Sequence, residues 1–302
     1  MGLIMSKLLV VGDSYCMNYI RMRNHIHSGQ WPDGTTRKEP YELFDQKTKK
    51  VKQFKWEKLK ECKLWPEIVA EHYNMDLVNL SESGAGNISI YSMALDYIVS
   101  NKVDKAIIVW SGFGRWEFEA LQIKLKKRLI RNGEIIGDYK TGNIKPKNNT
   151  RSTWLRYHNH STDKHLDEYN NFQHQTNEFD NLAKVGAFSL ETSVYNWFRL
   201  VFSMQQICKS LNIDLKMFQS VRPLKSHPQN IEASKVMIKD PYLSKIDDKI
   251  FKGFPAINYI GGTCFSDVLR EMQKDSRYTI SELDKHPNEE GHKLLAEYVI
   301  ND

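Results

Sequence analysis

The feature that most constrains the fold is a repeated alternation of short apolar strands with periodic helical segments. The predicted strands span residues 8–11, 76–80, 106–110 and 214–219, and the predicted helices span residues 16–26, 64–73, 88–99, 192–211 and a final segment after Asn288. Such alternation is typical of a parallel sheet with helices on both faces. The sequence therefore predicts an α/β fold, a three-layer α/β/α sandwich with a central parallel sheet.

The first predicted strand ends in a sequence that suits a nucleophile. Leu8–Val11 is followed by Gly12-Asp13-Ser14, a tight turn that would present the Ser14 hydroxyl at the carboxyl end of the strand. Ligands of open α/β sheets collect at that edge, so Ser14 is a candidate nucleophile. Gly-Asp-Ser is also ordinary turn chemistry, and that alternative requires no catalytic role.

The final helical segment is preceded by a histidine with a carboxylate two positions before it. Asn288 can cap this helix, which places Asp284 and His286 in the loop at its amino end. A serine nucleophile needs a base, and the base needs an acid that orients its imidazole, so His286 and Asp284 are the candidate base and acid. The alternative is that His286 only marks the entry to the helix.

Three stretches, in this order, resemble the sequence blocks of the SGNH (GDSL-type) hydrolase superfamily of esterases, lipases and carbohydrate deacetylases. Residues 10–15 resemble the block that carries the nucleophile, and residues 79–87 resemble the second block, whose glycine is Gly84 here. Residues 284–288 with Gly291-His292 resemble the last block. The resemblance implies a flavodoxin-like sheet, a triad of Ser14, His286 and Asp284, and an oxyanion hole with the backbone N–H groups of Ser14 and Gly84.

The chain departs from that family in two places. The acid usually stands three residues before the histidine, where this chain has Leu283, so Asp284 takes that role at a shorter spacing. The third block usually reads Gly-x-Asn, whereas residues 112–114 read Gly-Phe-Gly, so the asparagine donor to the oxyanion is missing. Asn87 or Arg115 could replace it. This segment is similar to divergent family members found in phage genomes.

Residues 120–190 interrupt the α/β pattern with polar sequence, and we interpret them as a large insertion in a single domain spanning residues 1–302. The histidines of the insertion are His158, His160, His165 and His174. Because they lack helical ligand spacing and a set of carboxylate or cysteine partners, they are interpreted as exposed loop histidines and no metal site is predicted. The aromatic residues in and near the insertion, which would stack on sugar rings or pack the insertion itself, include Trp154, Tyr157, Tyr169 and Phe172.

The net charge of +6 is concentrated in one region of the chain. Residues 101–160 contain 13 Lys and Arg against 5 Asp and Glu, and their densest part, residues 124–131, is interpreted as a solvated helix face. No recognisable nucleic-acid module accompanies this charge, so a nucleic-acid partner is not expected.

The amino terminus and the cysteines bear on the compartment. No apolar run approaches the ~20 residues that cross a bilayer, and the amino terminus lacks the pattern of a secretory signal. Gly2 and Ser6 match the N-myristoylation pattern, which is the alternative for this segment. The widely scattered cysteines, which suit reduced thiols, are Cys16, Cys62, Cys208 and Cys264. A cytoplasmic or virion-associated protein is expected.

Three functions are compatible with these features. The first is a serine ester hydrolase, an acyl or acetyl esterase that acts on a small-molecule or glycan ester without a cofactor. The second keeps the triad but changes the acceptor or substrate, giving a glycan O-acetyl transferase or deacetylase. The third is a non-catalytic binding or structural protein on a hydrolase scaffold, which the missing asparagine favours.

Overall fold

The computed structural model describes the residues that build the central sheet, its helices and several hairpins. The described residues are 6–20, 41–45, 50–54, 60–82, 84–113, 115–120, 127–131, 134–139, 153–158, 189–223, 227–256, 261–271, 276–280 and 284–302.

Strands and helices alternate along the chain as the sequence predicts. The strands are β1 (Lys7–Val11), β2 (Tyr41–Asp45), β3 (Lys50–Phe54), β4 (Asp76–Asn79), β5 (Lys105–Trp110), β6 (Arg115–Ala120), β7 (Lys127–Arg131), β8 (Glu134–Tyr139), β9 (Thr153–His158) and β10 (Asp214–Gln219). The helices are α1 (Trp65–His72), α2 (Asn87–Ser100), α3 (Leu190–Ser210), α4 (His227–Lys239), α5 (Phe265–Glu271) and α6 (Glu289–Ile300). Short 3-10 turns lie at Leu243–Lys245 and Ser276–Tyr278.

The central sheet consists of four parallel strands in the order β10-β5-β1-β4. In the middle of the sheet, Leu9 of β1 lies opposite Val78 on one side and Ala106 on the other. Numbered by chain position within the sheet, the order is 2-1-3-4, the flavodoxin-like arrangement. The chain moves outward from β1 to β4 and then crosses to β5, so a topological switch point lies beside the carboxyl end of β1, which is where ligands bind in such sheets.

Side-chain alternation along each strand divides the core into two layers, because successive residues of a strand face opposite sides of the sheet. Leu9 and Val11 pack with buried residues of α2, α3 and α4. Leu8 and Val10 pack on the other side with buried residues of α1, α5 and α6. The predicted three-layer α/β/α sandwich is therefore confirmed.

The hairpins lie outside the central sheet. β2 pairs with β3, β6 with β9 and β7 with β8, each pair antiparallel. The first pair lies between β1 and α1 in the chain. The interpretation of residues 124–131 as a helix face is wrong for Lys127–Arg131, which form a strand. Residues 124–126 lie outside the described residues. The sequence Asn132-Gly133 between β7 and β8 is a strong hairpin signal, and it outweighs the charge pattern.

The segment after Ser14 also differs from the prediction. Cys16 lies in a turn, and helical backbone begins only at Tyr19, whereas a helix was expected from residue 16 onward. The rest of that predicted helix lies outside the described residues. Within the described parts of the chain, no helix combines the length and apolar character needed to cross a bilayer.

Candidate active site

The turn that carries Ser14 is fixed by its own backbone and by close packing. The Cys16 N–H donates to the Asp13 carbonyl at 3.0 Å, and the Tyr15 N–H donates to Asp13 Oδ1 at 3.1 Å. A Cβ at position 12 would lie 2.6 Å from Cys16 Sγ, so only glycine permits this approach of the turn to β1. Ser14 is consequently held, largely buried, just beyond the carboxyl end of the strand.

Asp13 ties this turn to the ends of two neighbouring strands. Its carboxylate is fully buried, and Oδ2 accepts hydrogen bonds from Ser111 Oγ at 3.1 Å and Ser220 Oγ at 2.7 Å. Ser111 follows β5 directly, and Ser220 follows β10. A buried carboxylate requires such donors, so this network fixes the mutual position of three strand ends at the candidate site. This network could not be predicted from the sequence, because it depends on the order of the strands in the sheet.

Ser14, His286 and Asp284 form a continuous hydrogen-bonded chain. Ser14 Oγ lies 2.8 Å from His286 Nε2, and His286 Nδ1 lies 2.7 Å from Asp284 Oδ1. The His286 main-chain N–H also donates to Asp284 Oδ1, at 3.2 Å. The structure thus brings together the three residues that the sequence singled out as nucleophile, base and acid. With Nδ1–H donated to the carboxylate, Nε2 is free to accept the serine proton.

The loop that carries His286 is fastened at both ends. The Ile280 N–H donates to the His286 carbonyl at 2.9 Å, and the Tyr15 hydroxyl donates to the Lys285 carbonyl at 3.3 Å. Asn288 caps α6 as predicted, because its Oδ1 accepts from the Gly291 N–H at 3.0 Å. These contacts prevent the loop from carrying the imidazole away from Ser14.

Two tyrosines surround the imidazole, and neither was predicted. The Tyr19 ring is stacked on His286, with centroids 3.5 Å apart and an interplanar angle of 14°. The Tyr15 ring is tilted by 36° at a centroid distance of 5.3 Å. Both tyrosines belong to the segment after Ser14. A regular helix was predicted from residue 16, whereas the observed turn directs both rings toward His286.

The candidate oxyanion loop follows β4. Gly84 has a φ of +75°, in the left-handed region that favours glycine. The Glu82 N–H donates to the Gly12 carbonyl at 3.2 Å, so this loop lies directly against the serine turn. The loop that contains Gly84 therefore contacts the serine turn through Glu82. Ser83 lies outside the described residues.

Asn87 and Arg115 were predicted as replacements for the missing asparagine donor, and the structure describes the side chain of Asn87. Asn87 begins α2, and its side-chain amide makes two hydrogen bonds to the Ser111 backbone. Nδ2 donates to the Ser111 carbonyl at 3.1 Å, and Oδ1 accepts from the Ser111 N–H at 2.8 Å. Gln219 Nε2 adds a bond to the same carbonyl at 2.9 Å. Asn87 thus holds the turn after β5 through both polar atoms of its amide. The Arg115 side chain lies outside the description.

Burial sets the charge state of a second histidine near the site. His292 on α6 is almost completely buried, and its Nδ1 accepts from the Trp65 N–H at 3.4 Å. Burial, with a smaller contribution from His286, lowers the pKa of His292 to about 4. His292 is therefore neutral at neutral pH and adds no positive charge beside the triad.

In the part of the chain that the structure describes, no three His, Cys, Asp or Glu side chains are grouped so as to hold a metal ion. The side chain of His158 and the residues His160, His165 and His174 of the insertion lie outside that part. Tyr169 and Phe172 are outside it as well.

Similarity to known proteins is distant. No family model and no curated protein matches the chain. Among solved structures, a protein assigned to the G-D-S-L lipolytic family from Desulfitobacterium hafniense DCB-2 has 14% sequence identity and a TM-score of 0.38, with 98% of each chain covered. The function of this chain is therefore inferred from the geometry of its own residues.

Proposed function

We propose that this protein is a serine ester hydrolase of the SGNH type. The observation that carries the proposal is the hydrogen-bonded chain from Ser14 Oγ through His286 to Asp284, with distances of 2.8 and 2.7 Å. A nucleophile, a base and an orienting acid within hydrogen-bond reach are the geometric signature of nucleophilic acyl transfer. The order of the three sequence blocks supports the same reaction class.

The first half of the reaction acylates the serine. Ser14 Oγ forms a bond to the ester carbonyl carbon, and its proton passes to His286 Nε2. The resulting imidazolium is stabilised by the Asp284 carboxylate, to which Nδ1 stays bound. The tetrahedral intermediate then collapses, the bond to the alkoxy oxygen breaks, and His286 returns the proton to the departing alcohol.

The second half releases the acyl group. A water molecule gives its proton to His286 Nε2 as its oxygen attacks the acyl carbon, and the ester bond to Ser14 breaks to release the acid. The Ser14 oxygen recovers its proton from His286. An alcohol in place of water would give acyl transfer by the same steps, so the acceptor alone separates a hydrolase from a glycan O-acetyl transferase.

The oxyanion is assigned to the backbone N–H groups of Ser14 and Gly84, with Asn87 or Arg115 as the side-chain donor. The position of Ser14 just past β1 and the contact of the Glu82 N–H with Gly12 support this assignment. Losing one such donor costs ~10²–10³ in rate in a comparable site. The missing asparagine of the third block should therefore lower the rate of the reaction without changing the chemistry of the triad.

Hydrolysis of short p-nitrophenyl esters and of acetylated polysaccharide by wild type and Ser14→Ala tests the proposal. We expect the variant to lose about 10³-fold or more in kcat, because the covalent step has no other nucleophile. Ser244→Ala, at an exposed 3-10 turn, is the matched control and should keep full activity. Equal turnover by wild type and Ser14→Ala would overturn the proposal, and acetate release confined to the polysaccharide would assign a glycan substrate.

A further inference from the structure

The imidazole of His286 is restrained at its edges and on one face. Its two nitrogens are hydrogen-bonded to Ser14 and Asp284, which limits rotation within the ring plane. The Tyr19 ring lies nearly parallel to the imidazole at a centroid distance of 3.5 Å, which limits rotation out of that plane. The imidazole side chain is only 22% exposed. One face of the imidazole is therefore covered by an aromatic ring.

We propose that Tyr19 is a positioning residue for His286, whose aromatic face both aligns the imidazole and stabilises the imidazolium that forms during acyl transfer. The proposal rests on the proposed function, because it gives Tyr19 a role in the same proton transfer. A cation over an aromatic face is attracted by the ring quadrupole. The positive charge on His286 exists only after proton transfer, so this attraction is stronger in the transition state than in the ground state.

The charged and titratable groups around His286 decide what a Tyr19 substitution changes. Among the described residues they are Asp284 and Lys285 on its own loop, Tyr15 and Tyr19 on the segment after β1, and His292 on α6. Asp284 and the neutral His292 stay in place when the Tyr19 ring is removed. The variant therefore loses one contact with the imidazolium, and proton transfer to Nε2 should slow.

The test uses Tyr19→Leu, which removes the ring, and Tyr19→Phe, which keeps the ring and removes the hydroxyl. The downfield proton NMR signal of His286 Nδ1–H, assigned by its absence in His286→Gln, reports the alignment of the imidazole with Asp284 without any substrate. We expect Tyr19→Leu to broaden and shift this signal, because a less restrained imidazole exchanges the proton with water faster, and Tyr19→Phe to leave it as in wild type. Tyr19→Met, a second ring-free variant, repeats the test if Tyr19→Leu does not fold.

Ester kinetics on the same variants give the second readout. We expect kcat/KM to fall about 3- to 10-fold in Tyr19→Leu, mainly through kcat, and to stay within about 2-fold in Tyr19→Phe. An unchanged Nδ1–H signal in Tyr19→Leu, or equal defects in both variants, would overturn the proposal. Because the NMR measurement needs no turnover, its result stands apart from whether the protein hydrolyses esters.

Discussion

At the scale of single residues, the Asp284 carboxylate decides which nitrogen of His286 carries the proton. Its Oδ1 lies 2.7 Å from His286 Nδ1 and accepts from the main-chain N–H of His286, so the proposed mechanism assigns the proton to Nδ1. We expect Asp284→Asn to lower kcat by about 10²–10⁴-fold with little change in KM, because the amide no longer selects the reactive tautomer. Steady-state kinetics on a p-nitrophenyl ester measure this.

The matched control for that variant is Asp248→Asn, which makes the same chemical change at an exposed position. It should leave kcat and KM unchanged. A kcat for Asp284→Asn within about 3-fold of wild type would show that Asp284 does not orient the base.

His292 is the residue that should make folding sensitive to acid. Its pKa is lowered from 6.5 to about 4 by burial, so the unfolded chain binds a proton where the folded protein does not. The stabilisation is present above the unfolded pKa and is lost as pH falls from about 6.5 toward 4. We expect this residue to account for about 2 kcal/mol of the stability lost between pH 7 and pH 5.

Urea unfolding of wild type and His292→Gln at both pH values measures this contribution. The glutamine oxygen can still accept from the Trp65 N–H but does not titrate. The variant should therefore lose about 2 kcal/mol less than wild type between pH 7 and pH 5. Equal losses in the two proteins would contradict a neutral, buried His292.

At the scale of elements, the candidate site depends on how the ends of β1, β5 and β10 are joined. The buried Asp13 carboxylate accepts from Ser111 after β5 and Ser220 after β10. We expect Ser220→Ala to reduce the free energy of unfolding by about 1–3 kcal/mol, because a bond to a buried charge is lost and its acceptor stays buried. Chemical denaturation at pH 7 measures the change.

Ser210→Ala is the control for Ser220→Ala. Ser210 ends α3, is exposed, and donates to the Ile207 carbonyl within its own helix. Its replacement should change stability by no more than about 0.5 kcal/mol. If Ser220→Ala were as mild as this control, the network would not be what holds the strand ends together.

At the scale of the whole molecule, the reactivity of the cysteine thiols reports how well the two layers of the core exclude solvent. The four cysteines are free, and three of them are buried. Burial raises the pKa of Cys208 to about 12 and also raises that of Cys16, where Asp13 adds to the effect. We expect a thiol-reactive disulfide reagent to modify only Cys62, which is half-buried, in the native protein and all four thiols in denaturant. Rapid modification of Cys208 without denaturant would contradict this packing.

Much of the scaffold could be predicted from the sequence because its signals are local. The apolar run of β1 and the Asn288 cap of α6 each depend on a few neighbouring residues. The Ser220 and Tyr19 contacts could not be predicted, since they require the strand order and the path of one turn. The basic segment at residues 124–131 shows the opposite error, because its charges favoured a helix while Asn132-Gly133 favoured a hairpin.

The central claim is that Ser14 is an activated nucleophile, and covalent labelling with a fluorophosphonate tests it without knowledge of the natural ester. The phosphorus accepts Ser14 Oγ and releases fluoride only when a base removes the hydroxyl proton. Peptide mass spectrometry should find the label on Ser14 in wild type, and no label at that position in His286→Gln. Wild-type protein that stays unlabelled, or His286→Gln labelled at the wild-type rate, would contradict the account.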